Sequence, residues 1–174
     1  MSFSIYDVSA PVFVNALTSL QGLLDKALAE GKDEKALMEA RLAPDMYPLP
    51  KQIQIASDNA KGAIARLAGI EAPAMADTEA SFAALQDRCA RTIAFIDSVG
   101  RDAFEGSDTR EVVLRFPNGM GYHFTGKQYL TDFALPNVFF HVTTAYAILR
   151  AQGVGVGKPD FLAHVGAPVS IPAA

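Results

Sequence analysis

The chain has 174 residues, 50% of them hydrophobic and 20% charged, which predicts one globular domain over 1–174 able to bury roughly 70% of its unfolded surface. Its formal net charge of −4 and 15 scattered basic residues lack the electrostatic footprint of a nucleic-acid binder, so no nucleic-acid partner is expected. The single cysteine, Cys89, leaves no internal disulfide and no cysteine-rich zinc site and points to the cytoplasm; an N-terminus without a basic region and the lack of any apolar run of about 18 residues predict neither a signal peptide nor a membrane partner.

Phe13, Ala16, Leu17, Leu20, Leu24, Ala27 and Leu28 keep the three-and-four spacing of one helical face and predict a first helix over 12–30. Ser9 is placed to accept from the free amides at its start, Pro11 suits its first turn, and Gly31 can end it. A short helix over 33–42 follows, before Pro44, Pro48 and Pro50 interrupt regular structure. From Leu49, the residues Ile53, Ala56, Ala60, Ala63, Ile64 and Leu67 predict a second long helix closed by Gly69, with an alanine-rich face that lets a neighbour approach. Thr78 as cap, with Glu79 in the first turn, opens a third helix through Phe82, Leu85, Cys89, Ile93 and Ile96 to Gly100.

The period then changes. Residues 111–116 and 120–125 alternate around Pro117, Asn118 and Gly119, which have turn chemistry, and so predict one β-hairpin. Met120, Tyr122 and Phe124 share a face that should lie on the bundle, since an isolated two-stranded ribbon is marginal in water. A fourth helical region covers 127–152, with Pro136 predicting a kink or two abutting helices, and a loop-like tail follows Gly153. The fold class is mainly all-α: a four-helix bundle with one short hairpin before the last helix.

Gly153, Gly155, Gly157 and Lys158 invite comparison with a phosphate loop, but that motif needs Ser or Thr after the lysine, where Pro159 stands, and Gly where Gln152 stands. A helix cap and a turn explain these glycines better. Cys89 lies on an apolar stripe and reads as core. Of the three histidines, His123 should face solvent on the hairpin and His164 lies in the tail. His141 is the candidate that stands out, because Asn137 precedes it by four residues and both aim from one helical face. A buried, hydrogen-bonded histidine is the structural alternative to a ligand-binding one.

The stretches 41–50 (RLAPDMYPLP), 60–69 (AKGAIARLAG) and 134–150 (ALPNVFFHVTTAYAILR), with GKPD at 157–160, resemble an uncharacterised bacterial family within the DinB/YfiT-like superfamily, and the likeness covers nearly the whole chain. The resemblance implies a four-helix bundle in which better-known relatives hold a divalent metal with three histidines, one on the second helix and a His-x-x-x-His pair on the last. Some relatives use it in thiol-dependent transferase chemistry. Here Gln52 stands opposite the second-helix histidine and Asn137 opposite the first of the pair, so His141 is alone. A neutral amide is a weak ligand for zinc or nickel beside imidazole, and no cofactor is expected.

Three readings follow. In the first, Gln52, Asn137 and His141 line a metal-free cleft for a small polar molecule, with Asp45, Tyr47 and Asp58 as neighbours. In the second, a divalent-metal enzyme has altered ligands, His141 being joined by a carboxylate such as Asp58. In the third, the chain is a structural or interaction protein, a homodimer, whose polar cluster only satisfies buried hydrogen bonds. Whether any reaction is catalysed is left open.

Overall fold

The computed structural model describes residues 4–171. Four long helices carry it: α1 (Ala10–Ala29), α3 (Leu49–Ala68), α4 (Phe82–Asp97) and α6 (Leu135–Ala151), with a short α2 (Glu34–Glu39) between the first two. α1 and α3 sit diagonally across the bundle, with α4 and α6 filling the positions between them. Each helix turns its apolar stripe to one shared core. Phe13, Leu17, Leu20, Leu24, Ile53, Ala60, Ile64, Leu67, Phe82, Leu85, Val138 and Val142 are all buried in it. The alanines at 56, 60 and 63 on α3 are wholly buried, as expected of a face built for close approach.

The helix ends follow local chemistry, though not always the residues expected. Asp33 caps α2 by accepting from the amides of Lys35 and Ala36. Gly69 ends α3 in the left-handed region (φ 72°), which an L side chain enters only with strain. Ser9 does not cap α1; its hydroxyl instead donates to the Ile5 carbonyl at 2.6 Å. α4 begins three residues later than the Thr78 cap predicts, because Ser81 accepts from the Ala84 amide, and Glu79 is drawn to Arg88 rather than into a first turn.

A 3-10 turn (Arg101–Phe104) leads into the hairpin of β1 (Glu111–Arg115) and β2 (Gly121–Thr125), in antiparallel register Val112↔Phe124 and Leu114↔Tyr122. Val112 and Leu114 are buried and Phe124 packs on the core, but the tip lifts away, leaving Met120 68% and Tyr122 51% exposed. The expectation that Met120, Tyr122 and Phe124 all lie against the bundle therefore holds only for the base of the ribbon. A capping box between Thr125 and Gln128 starts α5 (Gly126–Gln128). Gly126 is required there because any Cβ would collide with the Ser107 carbonyl.

Pro136 has no amide hydrogen and its ring would press on the carbonyl four residues earlier. The chain absorbs it in a π-helical stretch, Tyr129–Ala134, that runs directly into α6. Beyond Gly153 the tail is more ordered than the expected loop. Val154 and Val156 are buried, α7 (Lys158–Phe161) docks on α1 through Lys26–Asp160 at 2.9 Å, and Ser19 donates to the Phe161 carbonyl. No helix among the described residues is long and apolar enough to cross a membrane.

Candidate functional site

α3 and α6 run antiparallel: Gln52 near the start of α3 meets His141 midway along α6, while Arg66 near its end reaches the Tyr129 hydroxyl at 3.2 Å. Gln52 is 2% exposed, and its amide joins two partners. Its Nε2 donates to the Tyr47 carbonyl at 3.0 Å, and its Oε1 lies 2.7 Å from His141 Nδ1. The half-buried His141 ring also meets Phe140 edge to face, centroids 5.1 Å apart. Burial holds its pKa below the ordinary 6.5, so the ring is neutral at pH 7. Asn137, half-buried one turn before His141, has no side-chain hydrogen bond among the described residues.

The expected neighbours divide. Tyr47 contributes its backbone carbonyl while its side chain is 58% exposed, and Asp45 is exposed. Asp58 does not join the site. It projects from another side of α3, where it pairs with Lys61 at 3.0 Å and Arg88 at 2.8 Å, so it is not a partner for His141. Among the described residues, no group of three or more His, Cys, Asp and Glu side chains is gathered that could hold a metal ion.

Sequence reasoning missed the charge cluster that claims Asp58. Arg88 is wholly buried, its Nη1 bonding Glu79 at 2.9 Å and the Ala76 carbonyl at 3.1 Å and pairing with Asp77 at 3.1 Å. Its Nη2 approaches Asp58 without hydrogen-bond alignment. Lys51 pairs with Asp77, Gln54 donates to Glu79, and Ser57 and Thr92 share a hydrogen bond at 2.8 Å. Three cations thus face three carboxylates, pinning the segment between α3 and α4. Every charge in the cluster has a counter-charge within it, and Arg88 Nη2 is its one buried polar atom among the described residues without an aligned hydrogen bond. An arginine on an otherwise apolar stripe, with Glu79 and Asp77 shortly before it, was the available signal.

The remaining candidates lose their chemistry in the structure. Cys89 is buried and desolvation pushes its thiol up to about 12, so it is no nucleophile. The Gly155 amide is occupied by Glu30, both carboxylate oxygens lying 3.0 Å away, which closes the phosphate-loop comparison. His123 is exposed on the outer hairpin face beside Glu111, and His164 is exposed in the tail. A cavity of about 780 Å³, lined among others by Val8, Phe104, Ser107, Lys127 and Leu130, lies toward the far end of α3. No histidine or cysteine lines it, and its Arg101 is committed to Asp7.

Residues 5–162 match the model of a family described as Domain of unknown function (DUF1993). A crystal structure of a DinB family member protein from Shewanella denitrificans superimposes with a TM-score of 0.84 at 36% identity, covering 97% of this chain and 96% of that one. No curated protein matches the chain. On the match of its sequence and of its fold, the chain belongs to the DUF1993 family, which is DinB-like.

Proposed function

We propose that this protein is a metal-free binding module whose small-molecule ligand is held at Gln52, Asn137 and His141. The observation that carries the reading is the direct contact of Gln52 Oε1 with His141 Nδ1 at 2.7 Å, the amide being anchored in turn on the Tyr47 carbonyl. Two groups that would be expected to converge on a cation are bonded to each other. One imidazole and two neutral amides supply none of the thiolate, carboxylate or additional imidazole donors that offset the dehydration of a divalent ion. Asn137, with no side-chain hydrogen bond among the described residues, then serves as a polar anchor on the same face.

Metal content after purification without added metal tests this, together with melting in the presence of zinc, nickel or chelator and against a small-molecule library. The expected outcome is substoichiometric metal, a melting temperature indifferent to zinc and chelator, and library compounds whose stabilising shift is lost in His141→Ala. Stoichiometric zinc or nickel that disappears in His141→Ala would restore the metalloenzyme reading. A homodimeric interaction protein is the second reading, favoured by the outer face of α6, where Phe139 is 37% and Phe140 57% exposed on a 17-residue helix with one formal charge, Arg150. A dimeric solution mass that becomes monomeric in Phe140→Asp, with no compound stabilising the protein, would favour it over ligand binding.

A further inference from the structure

The orientation of the Gln52 amide is decided by its neighbours. The Tyr47 carbonyl can only accept a hydrogen bond, so the amide nitrogen must face it, at 3.0 Å. The amide oxygen is then turned to His141 Nδ1 at 2.7 Å, and it too can only accept. The ring nitrogen opposite it must carry the proton. Reversing the amide would set two oxygens against each other in a place where Gln52 is 2% exposed.

We infer that Gln52 locks His141 in its Nδ1–H tautomer, so that the site presents the bare Nε2 lone pair and takes uncharged hydroxyl compounds with an apolar or aromatic body. The first half concerns Gln52 as a positioning residue; the second, the ligand class, rests on the ligand-binding reading above. Exposed histidines in water favour the Nε2–H form, so the lock inverts the usual arrangement and replaces a donor with an acceptor. An acceptor lone pair on a neutral ring selects O–H groups and gives nothing to an ether of the same shape. The apolar part has a place next to the neighbouring Phe140, in a groove that His141 adjoins through that ring and does not itself line. Phe140, which packs on the His141 ring, joins Leu42 and Phe139 in lining a groove of about 470 Å³ along α6. Asn137, one turn away, offers a second polar contact.

Long-range nitrogen–proton correlation spectra of the imidazoles at pH 8, read against the exposed His164, test the lock in the unmutated protein, His123 being set aside because its Nδ1 faces the Glu111 carboxylate at 3.4 Å. The expected result is an unprotonated Nε2 at His141 and a protonated one at His164, with His141 reverting to the Nε2–H pattern in Gln52→Leu once its fold is verified by circular dichroism. 4-Methylphenol and its methyl ether, titrated by the same spectra, test the ligand class. The phenol should shift His141 Nε2 and bind at least about tenfold more tightly than the ether, a ratio that collapses toward one in Gln52→Leu. A protonated Nε2 in the unmutated protein overturns the lock whether or not anything binds. Equal affinity for phenol and ether, with the tautomer locked, overturns the ligand class while ligand binding stands. If the tautomer is locked but neither probe nor any library compound binds, the ligand-binding reading falls, the ligand class falls with it, and Gln52 is left as a positioning residue alone.

Discussion

Replacing Arg88 with Met probes the buried charge cluster, keeping the side chain's length while removing its charge. The partner that matters is Glu79, whose side chain is 5% exposed and whose side-chain partners are Arg88 at 2.9 Å and Gln54 at 2.8 Å. In Arg88→Met only Gln54 remains, and a nearly buried carboxylate is left without a counter-charge. Breaking a buried pair from one side costs about 3–5 kcal/mol. Asp58 and Asp77, with side chains 44% and 37% exposed, add little, since solvated pairs contribute about 0–1 kcal/mol. The expected loss is therefore about 3–5 kcal/mol, a fall in Tm of roughly 6–20 °C for a chain of this size. Urea unfolding followed by circular dichroism at pH 7 measures it. Adding Glu79→Gln should recover part of the loss, with a coupling of about 1 kcal/mol or more. A loss below about 1 kcal/mol, with the two substitutions simply additive, would show that the cluster is solvated and the reasoning wrong.

The same cluster shapes the acid limb of stability. The hydrogen bond from Lys51 holds Asp77 below 3.8; for Glu79 burial pushes upward, but hydrogen bonds from Arg88 and Gln54 outweigh it and keep the group below 4.5. Both carboxyls bind protons less readily folded than unfolded, so their contribution is present above those ordinary values and lost as pH falls through the folded ones. Urea unfolding should show the gap between the unmutated protein and Arg88→Met narrowing from pH 7 to pH 3; an unchanged gap contradicts this. Leu20→Ala should cost about 2–5 kcal/mol in the same assay, because Leu20 is buried in the core, whereas Ile93→Ala should cost less because Ile93 is only partly buried. Cys89 should resist thiol reagents at pH 8 in the native state and react only as the chain unfolds; rapid native labelling would show that the α4 stripe opens locally.

Much of the fold was legible because helical stripes are local. The spacing of Ile53, Ala56, Ala60, Ala63, Ile64 and Leu67 needs no partner to be recognised, and every one of these residues is buried on α3. The hairpin was readable for the same reason, from alternation around a turn. Gln52, Asn137 and His141 were singled out partly by the four-residue spacing on α6 and partly by family likeness. That Gln52 and His141 bond each other depends on how α3 crosses α6, and on a carbonyl of Tyr47 that no side-chain pattern announces.

The start of α4 shows the limit from the other side. Thr78 and Glu79 have the local chemistry of a helix start, and only the buried guanidinium of Arg88 draws Glu79 away and leaves capping to Ser81. Asp58 likewise appeared available to His141 until the rotation of α3 turned it to Arg88 and Lys61. Periodicity, turn residues and caps are properties of neighbouring positions, and the sequence by itself determined them: the helices, the hairpin and most of the apolar core. Which polar groups meet is decided by contacts between residues 31 and 89 positions apart, such as Ser57 with Arg88 and Gln52 with His141. Only the tertiary structure settles those pairings, because a buried hydrogen bond or ion pair takes its partner from whichever helix the packed core brings within about 3 Å.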